Sequence, residues 1–216
     1  TFSPYLKCTD TLIPPCLKVD GKVITEFDNL FGKDYLYAPD NSRDLFLKEI
    51  KKLPQKTLGS FNILCEDNKH INSVLKEIIS YWQKSLGIVV NIESVSSVDE
   101  LKKRVHSGDF TAAFVPFSSP DDTVQTFLES FSEGGRNYFG QQIPEYNQLM
   151  LQASDTTDMQ KKIQLLSAAE KELLDSNLII PILNSSVSFA YSSEFENVNF
   201  SPTGSSIDFS YITVKR

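Results

Sequence analysis

The apolar and polar positions between residues 61 and 131 predict alternating strands and helices. A strand near 60–65 precedes a helix over 70–86, whose apolar side chains recur at the spacing of one buried helix face. Residues 88–95 alternate and are rich in β-branched side chains, as in a strand, and an apolar run at 110–116 predicts a strand covered on both faces. Because a helix joins each strand to the next, the pattern predicts a largely parallel sheet.

Polar residues mark the ends of these helices. Asp67 or Asn68 can cap the start of the first helix, and Gly87 stands where a left-handed residue ends it. Ser97 and Glu100 have the spacing of a capping box, in which each side chain binds the backbone N–H of the other residue. A second, shorter helix is therefore predicted to begin there.

The end of the third strand predicts the start of another helix. Ser119 is followed by Pro120, a residue favoured at the first helical position. Asp121 and Asp122 would then lie in the first turn, where the helix dipole favours acidic side chains.

The remaining parts of the chain give weaker patterns. The first 57 residues hold five prolines and one helical stretch, whereas the second half is more helical. Pro181 prevents the apolar run around it from forming a fully paired central strand. The predicted elements are helices at residues 42–52, 144–153 and 157–174, and extended segments at 178–183 and 187–191.

The order of several short motifs resembles a known family. These motifs are Leu12-Ile13-Pro14-Pro15, Tyr37-Ala38-Pro39-Asp40, the helix end from Tyr81 to Ile88 with its Trp82 and Leu86-Gly87, Gly108-Asp109-Phe110, and Ala169-Glu170 before an Ile-Pro strand. Each motif is weak alone, but their succession covers nearly the whole chain. It resembles the C-terminal lobe of the extracellular solute-binding proteins of family 5, which deliver oligopeptides and dipeptides to ABC importers.

The resemblance implies a fold and an organisation. We expect an α/β, periplasmic-binding-protein-like (type II) lobe with a mainly parallel sheet flanked by helices. Residues 1–216 would form this single lobe, with a proline-rich lead-in and short helix at 1–57, an α/β core at 58–192 and a tail at 193–216 toward the N-terminal lobe of the same parent protein. Family members are more than twice as long as this chain.

The resemblance also implies a function and a location. We expect a lobe that binds a peptide or another small solute for an ABC importer permease. It would act at the extracellular face of the cell membrane or in the periplasm, as part of a secreted or lipid-anchored parent protein.

The ligand site is predicted at the carboxyl end of the third strand. In open α/β sheets, ligands collect beyond the carboxyl ends of strands, beside the loops that start the following helices. The predicted ligand-binding residues are Phe114, Phe117, Ser118, Ser119 and Asp121.

One residue typical of the family is missing from this segment. Peptide-binding relatives have Gly-Trp there and, three residues after the tryptophan, an aspartate that pairs with the α-amino group of the ligand. In a gapless alignment Pro116 falls at the glycine, Phe117 at the tryptophan and Pro120 at the aspartate. The departure leaves open a different ligand, an amine-blocked peptide or a lobe that no longer binds.

The charge and the cysteine content of the chain argue against two classes of protein, nucleic-acid-binding proteins and disulfide-rich proteins. The formal net charge of −7 argues against a nucleic-acid partner, which needs clustered Lys and Arg. Three cysteines are too few for a disulfide framework, although Cys8 and Cys16 can pair across the Pro14-Pro15 turn, and Cys65 is expected to be buried. Two basic runs are interpreted as solvated helix faces: Lys48, Lys51 and Lys52, and Lys102, Lys103 and Arg104.

The N-terminus and the hydropathy of the chain do not decide where the protein acts or whether it is part of a longer protein. No stretch approaches the ~18 apolar residues of a membrane span, and the N-terminus has no signal-peptide pattern. The chain as given is therefore expected to be soluble and to be either cytoplasmic, processed, or a piece of a longer protein.

Motifs for catalysis are not found. The sequence has two histidines and lacks a Gly-x-Ser-x-Gly elbow, a phosphate-binding glycine loop and a His-Glu-x-x-His helix. We therefore expect no enzyme, no catalytic residue, no cofactor and no metal, although Glu66, Asp67 and His70 can gather near a helix start. Two alternative functions stay open, a sensor domain of a regulatory protein and an uncharacterised α/β enzyme.

Overall fold

The computed structural model describes residues 6–9, 11–23, 39–55, 57–133, 141–185, 189–200, 203 and 207–215. These residues divide into two compact units, which we call the sheet unit (39–55 and 57–117) and the helical unit (all other described residues).

The elements in chain order are β1 (Leu6–Cys8), β2 (Lys18–Val19), β3 (Lys22–Val23), α1 (Pro39–Ile50), β4 (Phe61–Glu66), α2 (Lys69–Leu86), β5 (Val90–Val95), α3 (Val98–His106), β6 (Ala112–Ala113), α4 (Val124–Glu129), α5 (Pro144–Asp155), α6 (Met159–Asp175), β7 (Leu183–Ser185), β8 (Phe195–Glu196), β9 (Asn199–Phe200), β10 (Ile207–Asp208) and β11 (Thr213–Val214).

The sheet unit contains the predicted parallel sheet. Its three strands lie in the order β5-β4-β6, and both pairings are parallel. The predicted α/β fold with a parallel sheet flanked by helices is therefore confirmed. The third strand is much shorter than predicted, because only Ala112 and Ala113 pair fully with β4, after which Phe114 N–H donates to Leu64 O. Pro116 has no N–H with which to continue this ladder.

Central strand β4 is covered on both faces. Ile63 and Cys65 pack in one cluster with Leu75 of α2, whereas Leu64 packs in another with Leu101 and Val105 of α3. Successive side chains of a strand point to opposite faces. The two helices therefore cover opposite sides of the sheet, and the predicted burial of Cys65 is confirmed.

Local hydrogen bonds explain where α2 begins and ends. Asn68 Oδ1 accepts from the backbone N–H groups of His70 and Ile71, so Asn68 is the cap. Gly87 has φ 70° and donates its N–H to Gln83 O, as predicted for the left-handed end residue. Trp82, predicted to lie on the buried face, is half-buried against the α2 side of the sheet.

Helix α3 begins as predicted, but only half of the capping box forms. Ser97 Oγ accepts from Glu100 N–H. The carboxylate of Glu100 accepts instead from the N–H and the hydroxyl of Ser96, one residue before the cap. Ser96 N–H therefore donates to Glu100 in place of the Ser97 N–H that the motif assigns.

The helical unit is built around α4, α5 and α6, which pack against one another. The predicted helices 144–153 and 157–174 are present as α5 and α6, and Asp158 caps α6. Four two-stranded antiparallel sheets complete the described part of this unit: β1-β7, β2-β3, β8-β11 and β9-β10.

The extended segment after α6 forms less strand than its sequence predicts. Residues 178–182 lie outside strands, and pairing with β1 begins only at Leu183. Of the predicted neighbour at 187–191, residues 187 and 188 lie outside the described residues, and 189–191 are not a strand. Pro181 explains the late start, because it cannot donate to a ladder.

A buried carboxylate connects two motifs that the sequence places far apart. Glu170 of α6 is 1% exposed, and its Oε1 accepts from the N–H of Leu12 at 2.8 Å and of Ile13 at 3.0 Å. Hydrogen bonds to a charged acceptor are stronger than neutral ones. Glu170 therefore fastens the proline-rich N-terminal segment to α6.

We predict that Glu170→Gln lowers the free energy of unfolding by about 1–2 kcal/mol, because the two bonds lose the charge of their acceptor. Glu170→Ala should cost about 3 kcal/mol or more, because it leaves both N–H groups without this acceptor. Urea unfolding of the variants measures both effects, with Glu172→Gln on the same helix as the matched control. Equal stability of Glu170→Gln and Glu172→Gln would contradict the assignment.

Candidate functional site

The predicted ligand-binding residues lie after β6, and the division between the two units falls among them. Phe114 and Phe117 belong to the sheet unit, whereas Ser118, Ser119 and Asp121 belong to the helical unit. Both phenylalanines are half-buried, and Phe114 packs against the cluster on the α2 side of the sheet.

The two serines differ in their surroundings. Ser118 is exposed, whereas Ser119 is 9% exposed. Among the residues that the structure describes, the Ser119 hydroxyl has no hydrogen-bond partner. A buried hydroxyl without a partner costs free energy, so it needs an explanation at this position.

The predicted helix start at Pro120 is wrong. Helix α4 begins at Val124, and its cap is Thr123, whose hydroxyl accepts from Thr126 N–H. Asp121 does not lie in a first helical turn, since its Oδ1 accepts from both the N–H and the hydroxyl of Thr123. This local turn holds residue 123 in an extended conformation and delays the helix by several residues.

These hydrogen bonds also set the charge of Asp121. Burial opposes ionisation, but the bonds from the Thr123 backbone and hydroxyl, and from Thr126, outweigh it and lower the pKa of Asp121. The side chain is exposed, and it is therefore a solvent-accessible carboxylate at neutral pH.

Asp122 is paired with a residue that sequence reasoning did not single out. Lys18 Nζ lies 2.7 Å from Asp122 Oδ2, and Lys18 N–H donates to Asp122 O, also at 2.7 Å. The two residues are 104 positions apart in the chain. No local pattern signals this contact, since each residue alone is an ordinary surface charge.

A second polar feature lies on the α3 side of the sheet. An open hollow of about 320 Å³ is lined there by Asn62, Leu64, Glu93, Arg104, Gly108, Asp109, Phe110 and Thr111. The lining includes the residues that lead into β6, rather than those that follow it. It is therefore separate from the predicted ligand-binding residues.

Arg104 organises the polar groups of this hollow. Its Nη1 lies 2.6 Å from Glu93 Oε1, and its Nε lies 2.8 Å from Asp109 Oδ2. Arg104 is half-buried, whereas its neighbours Lys102 and Lys103 are exposed as predicted. A guanidinium presents several donors in a fixed plane and can bridge two carboxylates in this way.

The described part of the chain contains neither a candidate metal site nor a candidate membrane span. Within the described ranges, no group of three or more His, Cys, Asp and Glu residues could hold a metal ion. Among the same residues, no helix has the length and apolar character needed to cross a bilayer. Cys16 is exposed, and the Cys8 side chain lies outside the description, so their pairing stays a prediction.

The folding pattern defines a class of protein, and comparison with known proteins confirms it. The three-layer sheet unit together with the helical unit has the fold of a periplasmic-binding-protein-like lobe. No protein-family model matches the chain. In sequence, the chain is 27% identical over 174 residues to the oligopeptide-binding protein OppA of Bacillus subtilis. The aligned region covers 79% of this chain and 31% of OppA.

Two solved structures show the extent of the shared fold. The substrate-binding domain of an oligopeptide ABC transporter from Bacillus anthracis matches 98% of this chain and 41% of its own, with a TM-score of 0.74 and 22% identity. The pheromone receptor PrgZ, solved to show its mode of peptide binding, matches 98% and 40%, with a TM-score of 0.72 and 18% identity. The resemblance predicted from the sequence is confirmed, and the chain spans well under half the length of these proteins.

The contact between Arg104 and Glu93 can be tested through the pKa of Glu93. The hydrogen bond from Arg104, followed by that from Asn62, lowers the pKa of Glu93. The pairing therefore stabilises the folded state above the ordinary glutamate pKa of 4.5, and this contribution is lost as the pH falls through the lower, folded-state value. We predict that Arg104→Gln raises the pKa of Glu93.

Carboxyl-carbon NMR titration measures this value directly. Lys103→Gln removes the same charge from the neighbouring, exposed position and serves as the control. A Glu93 midpoint that moves equally in both variants would show that general charge, rather than the Arg104 contact, sets the pKa.

Proposed function

We propose that the chain is the C-terminal ligand-binding lobe of a peptide-type solute-binding protein that serves an ABC importer. The observation that carries this proposal is the sequence similarity to OppA, extended by a shared fold over 98% of the chain. Residues 1–216 would form one lobe, and the location would be the extracellular face of the membrane or the periplasm. The lipid anchor and the importer permease, which the family resemblance implies, are part of this proposal.

The N-terminal lobe of the same parent protein is the proposed partner within the molecule. OppA and the two solved proteins are more than twice as long as the matched region. Large apolar side chains are exposed in the predicted tail, including Phe209 at 72% and Tyr211 at 67%. Exposed aromatic surface of this kind supports contact with further protein.

The proposed ligand is a peptide or a related small solute. Phe114 and Phe117 are proposed as apolar contacts, and Ser118 as an exposed polar contact at the end of the segment. The Ser119 hydroxyl supports a ligand role because it is buried without a partner among the described residues. A hydrogen bond to a bound ligand would satisfy it.

Asp121 is the proposed acceptor for a ligand amino group. It lies one position after Pro120, where the family aspartate is missing. Its side chain is exposed, and its hydrogen bonds with Thr123 and Thr126 lower its pKa, so the carboxylate is ionised at neutral pH. Asp122 is less suited, because Lys18 already binds its carboxylate.

No catalytic role and no nucleic-acid partner are proposed. The proteins to which the chain is similar bear the names of binding proteins and receptors. The described residues and the net charge of −7 offer no observation that favours an enzyme or a sensor attached to a DNA-binding domain.

The function is tested by titration calorimetry of the full-length protein with a peptide pair that differs only in N-terminal acetylation. We predict binding of the free peptide, and about 10-fold weaker binding by Asp121→Asn, because it removes the charge that pairs with the amine. Acetylated peptide should bind both forms equally. Asp155→Asn, which removes an exposed acidic charge at the end of α5, is the control.

Pro120→Asp tests the alignment with the family. A carboxylate restored at position 120 should strengthen binding of the free peptide relative to the acetylated one. Equal affinity for the two peptides in this variant would show that position 120 does not face the amine. Absence of any peptide binding by the unmodified protein would reject the proposed function itself.

A further inference from the structure

We propose that Lys18 is a positioning residue for the ligand-binding segment at residues 118–123. By holding Asp122 through both its backbone and its side chain, Lys18 fixes the segment that presents Ser118, Ser119 and Asp121. This inference rests on the proposed function, because the segment is assigned to ligand binding there.

Lys18 contacts the 118–123 segment through both its backbone and its side chain. Its N–H donates to Asp122 O at 2.7 Å, and its Nζ lies 2.7 Å from Asp122 Oδ2. The backbone bond belongs to an isolated parallel bridge between Lys18 and Thr123, the cap of α4. The combination of backbone and side-chain contacts distinguishes this pair from a salt bridge between two mobile surface side chains.

Lys18 is itself firmly held in the helical unit. Its neighbours Leu17 and Val19 are 0% and 2% exposed, and Lys18 pairs with Val23 across the β2-β3 hairpin. Leu17 N–H additionally donates to Pro14 O. Because both neighbours are buried in the core, the backbone of Lys18 is held in place. Its contacts in turn hold Asp122.

The contacts of Lys18 also affect Asp121, because Asp121 forms a turn with Thr123. Asp121 Oδ1 accepts from the Thr123 N–H and hydroxyl, and residue 123 is bridged to Lys18. The orientation of the exposed Asp121 carboxylate therefore depends on two neighbours that Lys18 contacts. A ligand group that binds residues 118–121 would meet a segment already ordered, which lowers the entropy lost on binding.

Two substitutions separate positioning from charge. Lys18→Met and Asp122→Asn break the same ion pair, but they change the charge of the segment in opposite directions. A positioning role predicts that both weaken binding of free and acetylated peptide alike, by about 3- to 10-fold, as expected for loss of a partly exposed pair. A purely electrostatic role predicts opposite effects of the two variants, confined to the free peptide.

Lys162→Met is the matched control. Lys162 Nζ lies 3.0 Å from Asp20 Oδ1, so this variant breaks another Lys–Asp pair at the same β2-β3 hairpin. It should leave peptide affinity unchanged. Lys18→Arg keeps a positive charge and a donor, and it should restore most of the affinity lost in Lys18→Met.

Amide hydrogen exchange of the full-length protein without ligand tests the same contact independently of peptide binding. Lys18→Met should speed exchange across residues 119–123 by about 3- to 10-fold, whereas Lys162→Met should not. Unchanged exchange, or opposite affinity changes in Lys18→Met and Asp122→Asn, would overturn the positioning role while leaving the proposed function intact. Failure of the unmodified protein to bind peptide would instead reject the proposed function, and the exchange result would still decide whether Lys18 orders the segment.

Discussion

The sheet unit depends on the pairing of β4 with a strand on either side while both of its faces are buried. Ile63 and Cys65 fill the α2 side and Leu64 fills the α3 side, so a shift of one residue would exchange these environments and expose apolar surface. The register with Ala112 and Ala113 follows from this constraint. The ladder then ends before Pro116, which has no N–H to donate, and the residues assigned to the ligand lie around this end.

In the helical unit, single polar side chains bind backbone groups that are distant in the chain. Glu170 binds the N–H groups of Leu12 and Ile13, and Lys18 binds Asp122 through backbone and side chain together. Such contacts order irregular segments that have little secondary structure of their own. Unlike the hydrogen bonds of a strand ladder, they need no periodic pattern in the sequence.

The sequence predicted well what is decided locally. A cap at Asp67 or Asn68, the left-handed Gly87 and the apolar stripe of α2 each depend on residues within one or two turns. The structure has Asn68 as the cap, and the other two features are present. The start of α4 was missed because the Asp121 side chain competes for the Thr123 N–H, which a helix signal read from Pro120 does not include. The candidate site was predicted after the third strand from the order of strands and helices alone. The pairing of Asp122 with Lys18 could not be predicted in this way, because it depends on the complete fold.

The contact of Glu170 has a consequence for how such chains vary in evolution. Because the carboxylate binds main-chain N–H groups, almost any residue at positions 12 and 13 would satisfy it, and proline alone would remove a donor. Substitutions at these positions therefore need no compensating change at 170. Correlated-mutation methods would therefore find no coupling between the two segments, although a buried charge joins them. In an alignment, the contact would be visible only as a carboxylate that does not change at position 170 and as the absence of proline at positions 12 and 13.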